Sequence, residues 1–342
     1  MPRTIDSDDD ALAFFLPPVA AWFRDALGEP TLPQRMGWPA IAARQNTLIV
    51  APTGSGKTLA AFLAALDLLW RTPRRQQGVR ILYVSPLKAL GEDVRRNLEA
   101  PLAGIIECSR HMGVLLGTLN VAVRSGDTPS SQRARLLRKP PDILITTPES
   151  LHLMLTSRAR ETLRNVSHVI VDEIHAVCSN KRGVFLALLL ERLEAICATS
   201  FVRIGLSATQ RPLELVARFL GGQRLARTAA GGRRFEPRPV TIIDAGRRKT
   251  MDLQVLWPGG DDGRMLGPPG SIWPAIEERL LALTAEHRST IIFANNRRTV
   301  EKLTARLNEA ALTEPPEAAL TELTEAALLE RPEAELTEAA LL

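Results

Sequence analysis

One stretch of eight residues, Ala51-Pro52-Thr53-Gly54-Ser55-Gly56-Lys57-Thr58, constrains the fold of this chain more than any other feature. An apolar, strand-like run precedes it and a helix-like run follows it. In this order, successive backbone N–H groups of the loop point at the β- and γ-phosphates of a nucleotide, and the helix dipole adds positive potential. Lys57 is expected to supply a charge, and Thr58 a hydroxyl for Mg²⁺. A glycine-rich surface loop is the alternative, which the flanking runs disfavour. The stretch therefore predicts a nucleoside triphosphate site, with ATP and Mg²⁺ as cofactors.

The charge of the chain is unevenly distributed along the sequence. The whole chain has 342 residues, 43 basic and 38 acidic, which suggests about two domains and a small net charge of +5. Residues 308–342 contain nine Glu and one Arg, so residues 1–307 have 42 basic against 29 acidic residues, a net charge of +13. A basic folded portion favours a polyanionic partner such as a nucleic acid. A basic surface that only serves solubility is the alternative.

The cysteines and the apolar segments bear on the compartment. The three cysteines have no paired metal-ligand spacing, and their odd number does not suggest a disulfide framework. The apolar stretch at 11–23 follows three aspartates and is interrupted by Pro17-Pro18, which is unlike a secretory signal. The sequence also has no apolar run of about twenty residues. We therefore expect a cytoplasmic protein with no membrane partner.

Short apolar runs rich in β-branched residues alternate with helical patterns. The runs are 47–50, 81–85, 121–123, 143–146, 169–172 and 202–207. This alternation predicts an α/β fold with a doubly wound parallel sheet. Ligands of such sheets bind beyond the carboxyl ends of the strands, and polar motifs follow several of these runs.

Changes in composition suggest four segments. We expect a first domain at 1–227, a Gly/Arg-rich linker at 228–239, a partial second domain at 240–308 and a low-complexity acidic tail at 309–342. In the second domain the patterns predict strands at 240–243 and 290–293, helices at 272–286 and 299–308, and a loop at 257–270. The tail is interpreted either as a protein-binding segment or as a solvated appendage.

Two carboxylates follow the strand predicted at 169–171, in the sequence Asp172-Glu173-Ile174-His175. An acidic pair at this position suits the site of a hydrolytic reaction. Asp172 is expected to share Mg²⁺ with Thr58, and Glu173 to orient and deprotonate the attacking water. His175 is then placed to respond to the γ-phosphate.

Four further motifs follow predicted strands. They are Ser85-Pro86-Leu87-Lys88-Ala89-Leu90, Ser125-Gly126-Asp127-Thr128, Thr146-Thr147-Pro148-Glu149-Ser150-Leu151 and Leu206-Ser207-Ala208-Thr209. The first three offer backbone N–H groups, small hydroxyls or a lysine that suit a phosphodiester backbone. Turns and helix caps are the alternative interpretation of each. The hydroxyls of the last motif are expected to hydrogen-bond to the acidic pair.

Taken together and in this order, the motifs resemble those of superfamily two helicases of the DExH type, and most closely the Lhr (large helicase-related) family. The resemblance covers about residues 10–308 and includes Pro33-Gln34 and the segment from Ser289 to Arg298. It implies two RecA-like domains that clamp ATP, move 3′ to 5′ along single-stranded DNA and separate duplexes or DNA/RNA hybrids. It also implies a role in DNA repair.

The resemblance assigns roles to single residues. It implies that Gln34 reads adenine, that Lys57, Thr58, Asp172 and Glu173 support hydrolysis, and that Ser207 and Thr209 couple hydrolysis to movement. The residues that match motifs lining the nucleic-acid path are Pro86, Lys88, Gly126, Asp127, Thr147, Pro148, Glu149, Asn295 and Arg298.

The sequence also departs from the family pattern. After Asn308 nothing corresponds to the later motifs of the second domain, including the segment that supplies arginine fingers to the γ-phosphate. Two hypotheses stay open, namely a helicase impaired by this difference and a fragment that binds ATP and nucleic acid without unwinding. A small-molecule kinase is a third, for which the sequence offers no lid or acceptor site.

Overall fold

A computed structural model describes residues 11–72, 77–209, 211–227, 232–246, 252–256 and 272–313. The chain divides into two compact units, 1–249 and 250–342.

The first unit is built on a parallel sheet, as the alternating pattern predicts. Its strands are β1 (Thr47–Val50), β2 (Ile81–Val84), β3 (Val121–Arg124), β4 (Ile143–Thr146), β5 (His168–Val171), β6 (Val202–Ser207) and, after a hairpin of β7 (Gln223–Arg227) and β8 (Arg233–Pro237), β9 (Thr241–Asp244). The seven parallel strands lie in the order β3-β4-β2-β5-β6-β1-β9. All six predicted runs are strands of this sheet, which confirms the α/β fold.

Helices cover both faces of the sheet. In the first unit they are α1 (Pro17–Leu27), α2 (Leu32–Ala42), α3 (Lys57–Arg71), α4 (Leu90–His111), α5 (Ser130–Arg138), α6 (Pro148–Leu155), α7 (Lys181–Ile196) and α8 (Leu213–Gly221), with 3₁₀ turns at Arg158–Leu163 and Ile174–Ala176. Alternate strand residues enter different cores, since Ile49 and Ile170 belong to one apolar cluster while Leu48 and Val169 belong to the other. Burial on both faces explains why the strands read as continuous apolar runs.

Strand β9 corrects the predicted position of one element. A strand was predicted at 240–243 in a second domain, but β9 pairs in parallel with β1 and lies in the first unit. The pairing continues one residue beyond β9, where Ala245 N–H donates to Val50 O of β1 at 2.9 Å. Ile243 is 6% exposed within the first core. The free edge of β1 and the gain from burying Ile243 explain this placement.

The predicted linker contains regular structure. Residues 233–237 form β8, which pairs antiparallel with β7, so the expected boundaries at 227 and 239 differ from the division observed after residue 249. Composition alone did not reveal this hairpin, because its arginines and glycine are also typical of linkers.

The second unit contains α9 (Trp273–Glu286) and α10 (Arg297–Thr313), close to the two predicted helices. Arg306 donates a hydrogen bond from α10 to Glu277 Oε1 of α9 at 2.6 Å. Helix α10 extends five residues beyond Asn308, into the segment expected to be an acidic tail. The predicted loop 257–270 and residues 314–342 lie outside the described residues.

The strand predicted at 290–293 is absent from the described part of the second unit. This segment has no regular secondary structure, and the side chains of Ile291 and Phe293 are 79% and 90% exposed. An apolar run forms a strand only where a neighbour supplies the hydrogen-bond partners. Within the described ranges, none of the helices is long and apolar enough to cross a bilayer.

The placement of β9 predicts unequal effects for two isoleucine truncations. Ile243→Ala should lower the free energy of unfolding by about 2–4 kcal/mol because it leaves a cavity in the first core. Ile291→Ala is the matched control and should change it by less than about 0.5 kcal/mol. Urea titrations followed by circular dichroism measure both values, and equal effects would contradict the assignment of β9 to the core.

Candidate functional site

The predicted phosphate loop leaves β1 at the carboxyl edge of the sheet. Ala51 N–H donates to Ser207 O of β6 at 3.1 Å, so the sheet pairing extends into the first residue of the loop. Gly54 and Gly56 have φ angles of 77° and 81°, in the left-handed region that favours glycine. Gly56 is followed at once by Lys57, the first residue of α3. The loop therefore connects strand and helix as the sequence analysis expected.

Gln34 braces this loop from the start of α2. Its side chain is buried, its Oε1 accepts a hydrogen bond from Thr31 N–H at 2.8 Å, and its Nε2 donates to Gly56 O at 3.4 Å. Thr31 Oγ1 donates to Ser55 O at 2.9 Å. A Cβ atom on Gly56 would lie only 2.7 Å from Gln34 Nε2. The residue expected to read adenine thus also supports the loop that precedes α3.

The loop carries polar groups that lack adequate partners. Lys57 is 5% exposed, and the one hydrogen bond recorded for its ammonium among the described residues is to Ala51 O, at 3.4 Å. Ser55 Oγ is enclosed and has no hydrogen-bond partner in the described structure. A buried cation and a buried hydroxyl are costly unless they are paired. An anionic ligand with several oxygens, such as a triphosphate, fits these unfulfilled donors.

Asp172 follows β5 directly and is held in place at three atoms. Its N–H donates to Val84 O at 3.0 Å, which extends the pairing of β5 with β2. Its Oδ1 accepts from Glu173 N–H at 2.9 Å, and its Oδ2 accepts from the hydroxyl of Tyr83. Asp172 is 6% exposed. Its carboxylate therefore has one fixed orientation at the edge of the sheet.

Tyr83 is a site residue that sequence reasoning missed. It lies in the apolar run of β2, which the sequence analysis interpreted only as a strand. Burial, and then the negative charge of Asp172, raise the pKa of Tyr83 well above its usual range. The phenol is therefore protonated at any physiological pH and can only donate to the carboxylate. Its presence as a polar residue in an otherwise apolar strand is the signal that could have identified it.

His175 links the acidic pair to the end of β6. Its Nδ1 accepts a hydrogen bond from Ala208 N–H at 3.2 Å, and its Nε2 lies 3.3 Å from Glu173 Oε2. An Nδ1 that accepts assigns the proton of the neutral ring to Nε2, which then donates to the Glu173 carboxylate. Glu173 itself has a φ angle of 45°, a strained conformation for a residue with a side chain.

The link between these loops differs from the expected one. The sequence analysis expected the hydroxyls of Ser207 and Thr209 to bond the acidic pair, but Ser207 Oγ donates to Ala208 O at 2.8 Å. The methyl group of Thr209 faces Gly246. The turn after β6 directs the Ala208 N–H, and neither hydroxyl, towards His175. The turn after β6 therefore contacts the 3₁₀ turn at Ile174–Ala176 through the backbone of Ala208 and the side chain of His175.

Two of the expected nucleic-acid motifs meet at the same edge of the sheet. Lys88, after β2, forms an ion pair with Asp127, after β3, and both side chains are exposed. The carbonyl oxygen of Gly126 accepts a hydrogen bond from Arg133 of α5 at 2.6 Å. Pro86 is the second residue after β2 and is buried. The structure therefore brings these residues together in one surface region.

The third motif begins α6. Thr147 is its N-cap and accepts from Ser150 N–H at 3.4 Å, so the helix-cap interpretation holds for this residue. Pro148 is the first residue of the helix. Glu149 accepts two hydrogen bonds from Arg182 of α7, at 2.6 and 3.0 Å, and these bonds lower the pKa of Glu149. Arg182 was not identified from the sequence.

The remaining expected residues lie in the second unit. Asn295 precedes α10 and Arg298 is its second residue, and both are exposed.

The site fits a magnesium ion shared with a ligand. The described residues contain no group of three or more His, Cys, Asp or Glu side chains that could hold a metal by themselves. Mg²⁺ is commonly bound by one or two carboxylates together with phosphate oxygens. The fixed carboxylate of Asp172 and the hydroxyl of Thr58, the second residue of α3, suit that kind of shared site.

The chain matches a helicase family and several of its relatives. A sequence model described as DEAD/DEAH box helicase matches residues 31–216, more than half of the chain. The "Lhr helicase/ probable uracil glycosylase" of Mycolicibacterium smegmatis is 51% identical over 302 residues, which are 88% of this chain and 19% of that protein. The "Lhr helicase/uracil glycosylase" of Escherichia coli is 48% identical over 86% of this chain and 20% of that protein. The "ATP-dependent helicase Lhr-Core protein 2" of Thermococcus barophilus is 42% identical over 89% and 34%.

A solved structure is similar over most of the chain. The Mycobacterium smegmatis helicase Lhr, bound to ssDNA and AMP-PNP, matches with a TM-score of 0.70 and 49% identity, over 90% of this chain and 38% of that one. The helicase MrfA, bound to DNA and AMPPNP, has a TM-score of 0.62 at 20% identity, which is a likeness of fold alone. This chain spans between a fifth and a third of the length of the three relatives above.

The contact between Gly56 and Gln34 predicts a selective effect on nucleotide binding. Gly56→Ala should weaken binding of an ATP analogue by at least about tenfold, since it strains the backbone and displaces Gln34. Gly113→Ala is the matched control, because Gly113 has a φ angle of 67° but nothing within 4 Å of its added Cβ. Isothermal titration calorimetry measures both affinities. A similar loss in both variants would show that the effect is not specific to the phosphate loop and would contradict the role assigned to the contact with Gln34.

Proposed function

The chain belongs to the DEAD/DEAH box helicase family, and from this premise we propose that it is an ATP-dependent nucleic-acid translocase of the Lhr type. The observation that carries the proposal is the meeting of the phosphate loop, the acidic pair and the Lys88–Asp127 loops at one edge of one sheet. This arrangement supports the proposal of a hydrolytic site next to an exposed surface that suits phosphates.

For the hydrolytic step we assign roles to five side chains. Lys57 and the N–H groups of residues 53–58 bind the phosphates, and Gln34 contacts the base or holds the loop. Thr58 and Asp172 would hold Mg²⁺, which would neutralise negative charge on the phosphate oxygens when bound. Glu173 orients the attacking water and takes its proton.

His175 supports this base. Its Nε2–H is directed at Glu173 Oε2, so the imidazole fixes the carboxylate that must accept the proton. Because Nδ1 is held by Ala208 N–H, the ring cannot turn without losing a hydrogen bond. His175 therefore acts in the proposal through Glu173, and Ser207 and Thr209 act through the turn that presents Ala208.

For the nucleic acid we propose single-stranded DNA or a DNA/RNA hybrid. The support is the 49% identical helicase solved with ssDNA, together with the excess of basic residues in 1–307. Movement from 3′ to 5′, a role in DNA repair and a cytoplasmic location belong to the same proposal. The backbone of the strand contacts the first unit through the following residues: Pro86, Lys88, Gly126, Asp127, Thr147, Pro148 and Glu149. Asn295 and Arg298 are its contacts in the second unit.

Steady-state ATP hydrolysis tests the proposal. The wild-type chain should hydrolyse ATP faster when single-stranded DNA is added. Glu173→Gln should lower turnover by roughly 10²-fold or more because the general base is lost, while it still binds nucleotide. Lys57→Ala should abolish tight ATP binding, and Glu214→Gln, an exposed carboxylate on α8, is the matched control with unchanged turnover.

Two outcomes would overturn parts of this proposal. Wild-type turnover in Glu173→Gln would exclude Glu173 as the base. Binding of both ligands by the wild-type chain without turnover would identify it as an ATP- and nucleic-acid-binding protein instead of an enzyme.

The surface formed by Lys88 predicts a change in salt dependence. Lys88→Ala should weaken single-stranded DNA binding and lower the slope of log K against log[salt] by about 0.7, because one phosphate contact is lost. Lys139→Ala should leave the slope unchanged. It removes an exposed charge at the C-terminal end of α5, whereas Asp127, the partner of Lys88, precedes the N-terminal end of that helix. Fluorescence anisotropy over a range of salt concentrations measures both, and equal slopes in all three proteins would contradict the assigned contact.

A further inference from the structure

Tyr83 occupies a position between the phosphate-loop helix and the acidic pair. It pairs in register with Ile170 of β5, so its side chain is on the same face as Ile170 and Asp172. The ring is completely buried and stacks on Phe62 of α3, with centroids 5.2 Å apart and an interplanar angle of 19°. This packing leaves the ring one orientation, in which the hydroxyl points to the carboxyl edge of the sheet.

The hydroxyl completes the support of the Asp172 carboxylate. Each carboxylate oxygen accepts one protein hydrogen bond, Oδ1 from Glu173 N–H and Oδ2 from Tyr83. A carboxylate has about four acceptor positions, so both oxygens keep capacity for a further ligand. The carboxylate is therefore oriented by the protein without being saturated by it.

Packing alone does not explain a tyrosine at this position. The neighbouring strand residues Ile145 and Ile170 are apolar, and a phenol buried among them is costly unless its hydroxyl is paired. A phenylalanine would fill the same space and stack equally well on Phe62. Among the residues that the structure describes, the one partner of the hydroxyl is Asp172, so the role of the hydroxyl lies in what Asp172 does.

We propose that Tyr83 is a positioning residue for the metal and nucleotide site, whose hydroxyl fixes the Asp172 carboxylate in its binding orientation before the ligand arrives. This inference rests on the proposed function, because it takes Asp172 as a ligand of Mg²⁺. A carboxylate that is already oriented loses less rotational freedom when the ion binds. Hydrogen-bonding partners of metal ligands typically change metal affinity by 10–100-fold when they are removed.

The first test removes only the hydroxyl. Tyr83→Phe should weaken the affinity for Mg²⁺ by about tenfold or more, measured as the Mg²⁺ concentration needed for half-maximal binding of a non-hydrolysable ATP analogue. Its affinity for the analogue in EDTA should equal that of the wild type. The matched control is Thr162→Val, which removes a buried hydroxyl bonded to Ala159 O far from the acidic pair and should not change the Mg²⁺ dependence. Thermal melts of each variant measure any loss of stability separately.

The second test uses a spectroscopic property of this chain. Tyr83 is its only tyrosine, so protein labelled with [4-¹³C]tyrosine gives one Cζ signal in an NMR spectrum. The signal should shift when Mg²⁺ is added to the analogue-bound protein, and it should not shift when Mg²⁺ is added to the Asp172→Asn variant. A role restricted to packing would leave the signal unchanged in both.

The outcomes separate this inference from the proposed function. If the wild-type chain binds the analogue with Mg²⁺, but Tyr83→Phe shows the same Mg²⁺ dependence and the Cζ signal does not respond, the role of Tyr83 is overturned and the proposed function stands. If the wild-type chain binds no nucleotide, the proposed function fails and this inference fails with it.

Discussion

The site depends on hydrogen bonds that continue the parallel sheet one residue beyond its strands. Ala51 bonds to Ser207 after β1, Asp172 to Val84 after β5, and Ser85 to Thr146 after β2, at 3.0 to 3.1 Å. Each bond holds the first residue of a motif against the last residue of the neighbouring strand. The loops that follow are therefore held against one another by the most rigid part of the fold, although they come from distant parts of the sequence. Bracing at the backbone leaves the side chains available for ligands.

The sequence predicted six strands of the sheet well and misplaced the edge strand β9, for a physical reason. Strands buried on both faces are apolar throughout, so runs such as 143–146 and 169–171 are recognisable alone. Which partner a short strand pairs with is a non-local property, and β9 was accordingly placed in the wrong unit although its position was nearly right. The run at 290–293 has the same composition as a strand but, among the described residues of its unit, no strand to pair with.

The candidate site shows the same difference between features set by local sequence and features set by contacts between distant residues. The phosphate loop and the acidic pair were predictable because their residue types and spacing are local. Tyr83 and Arg182 were not, because they act across 89 residues on Asp172 and across 33 residues on Glu149. The hydroxyl of Ser207 was expected to bond the acidic pair, whereas the backbone of Ala208 bonds His175. A motif gives the residue types but not the direction of a turn.

The hydrogen bond between Ala208 N–H and His175 Nδ1 links the turn after β6 to the segment that contains Glu173. If the turn after β6 moves, the Ala208 N–H either leaves His175 or carries the imidazole with it, and the ring also holds Glu173. A neutral hydrogen bond contributes about 0.5–1.5 kcal/mol net, so a modest rearrangement of this turn is enough to release the ring. Glu173 would then lose the donor that orients it, in a backbone conformation that is already strained. The orientation of the Glu173 carboxylate is therefore linked to the position of this turn through the imidazole of His175, and the link uses neither the Ser207 nor the Thr209 hydroxyl.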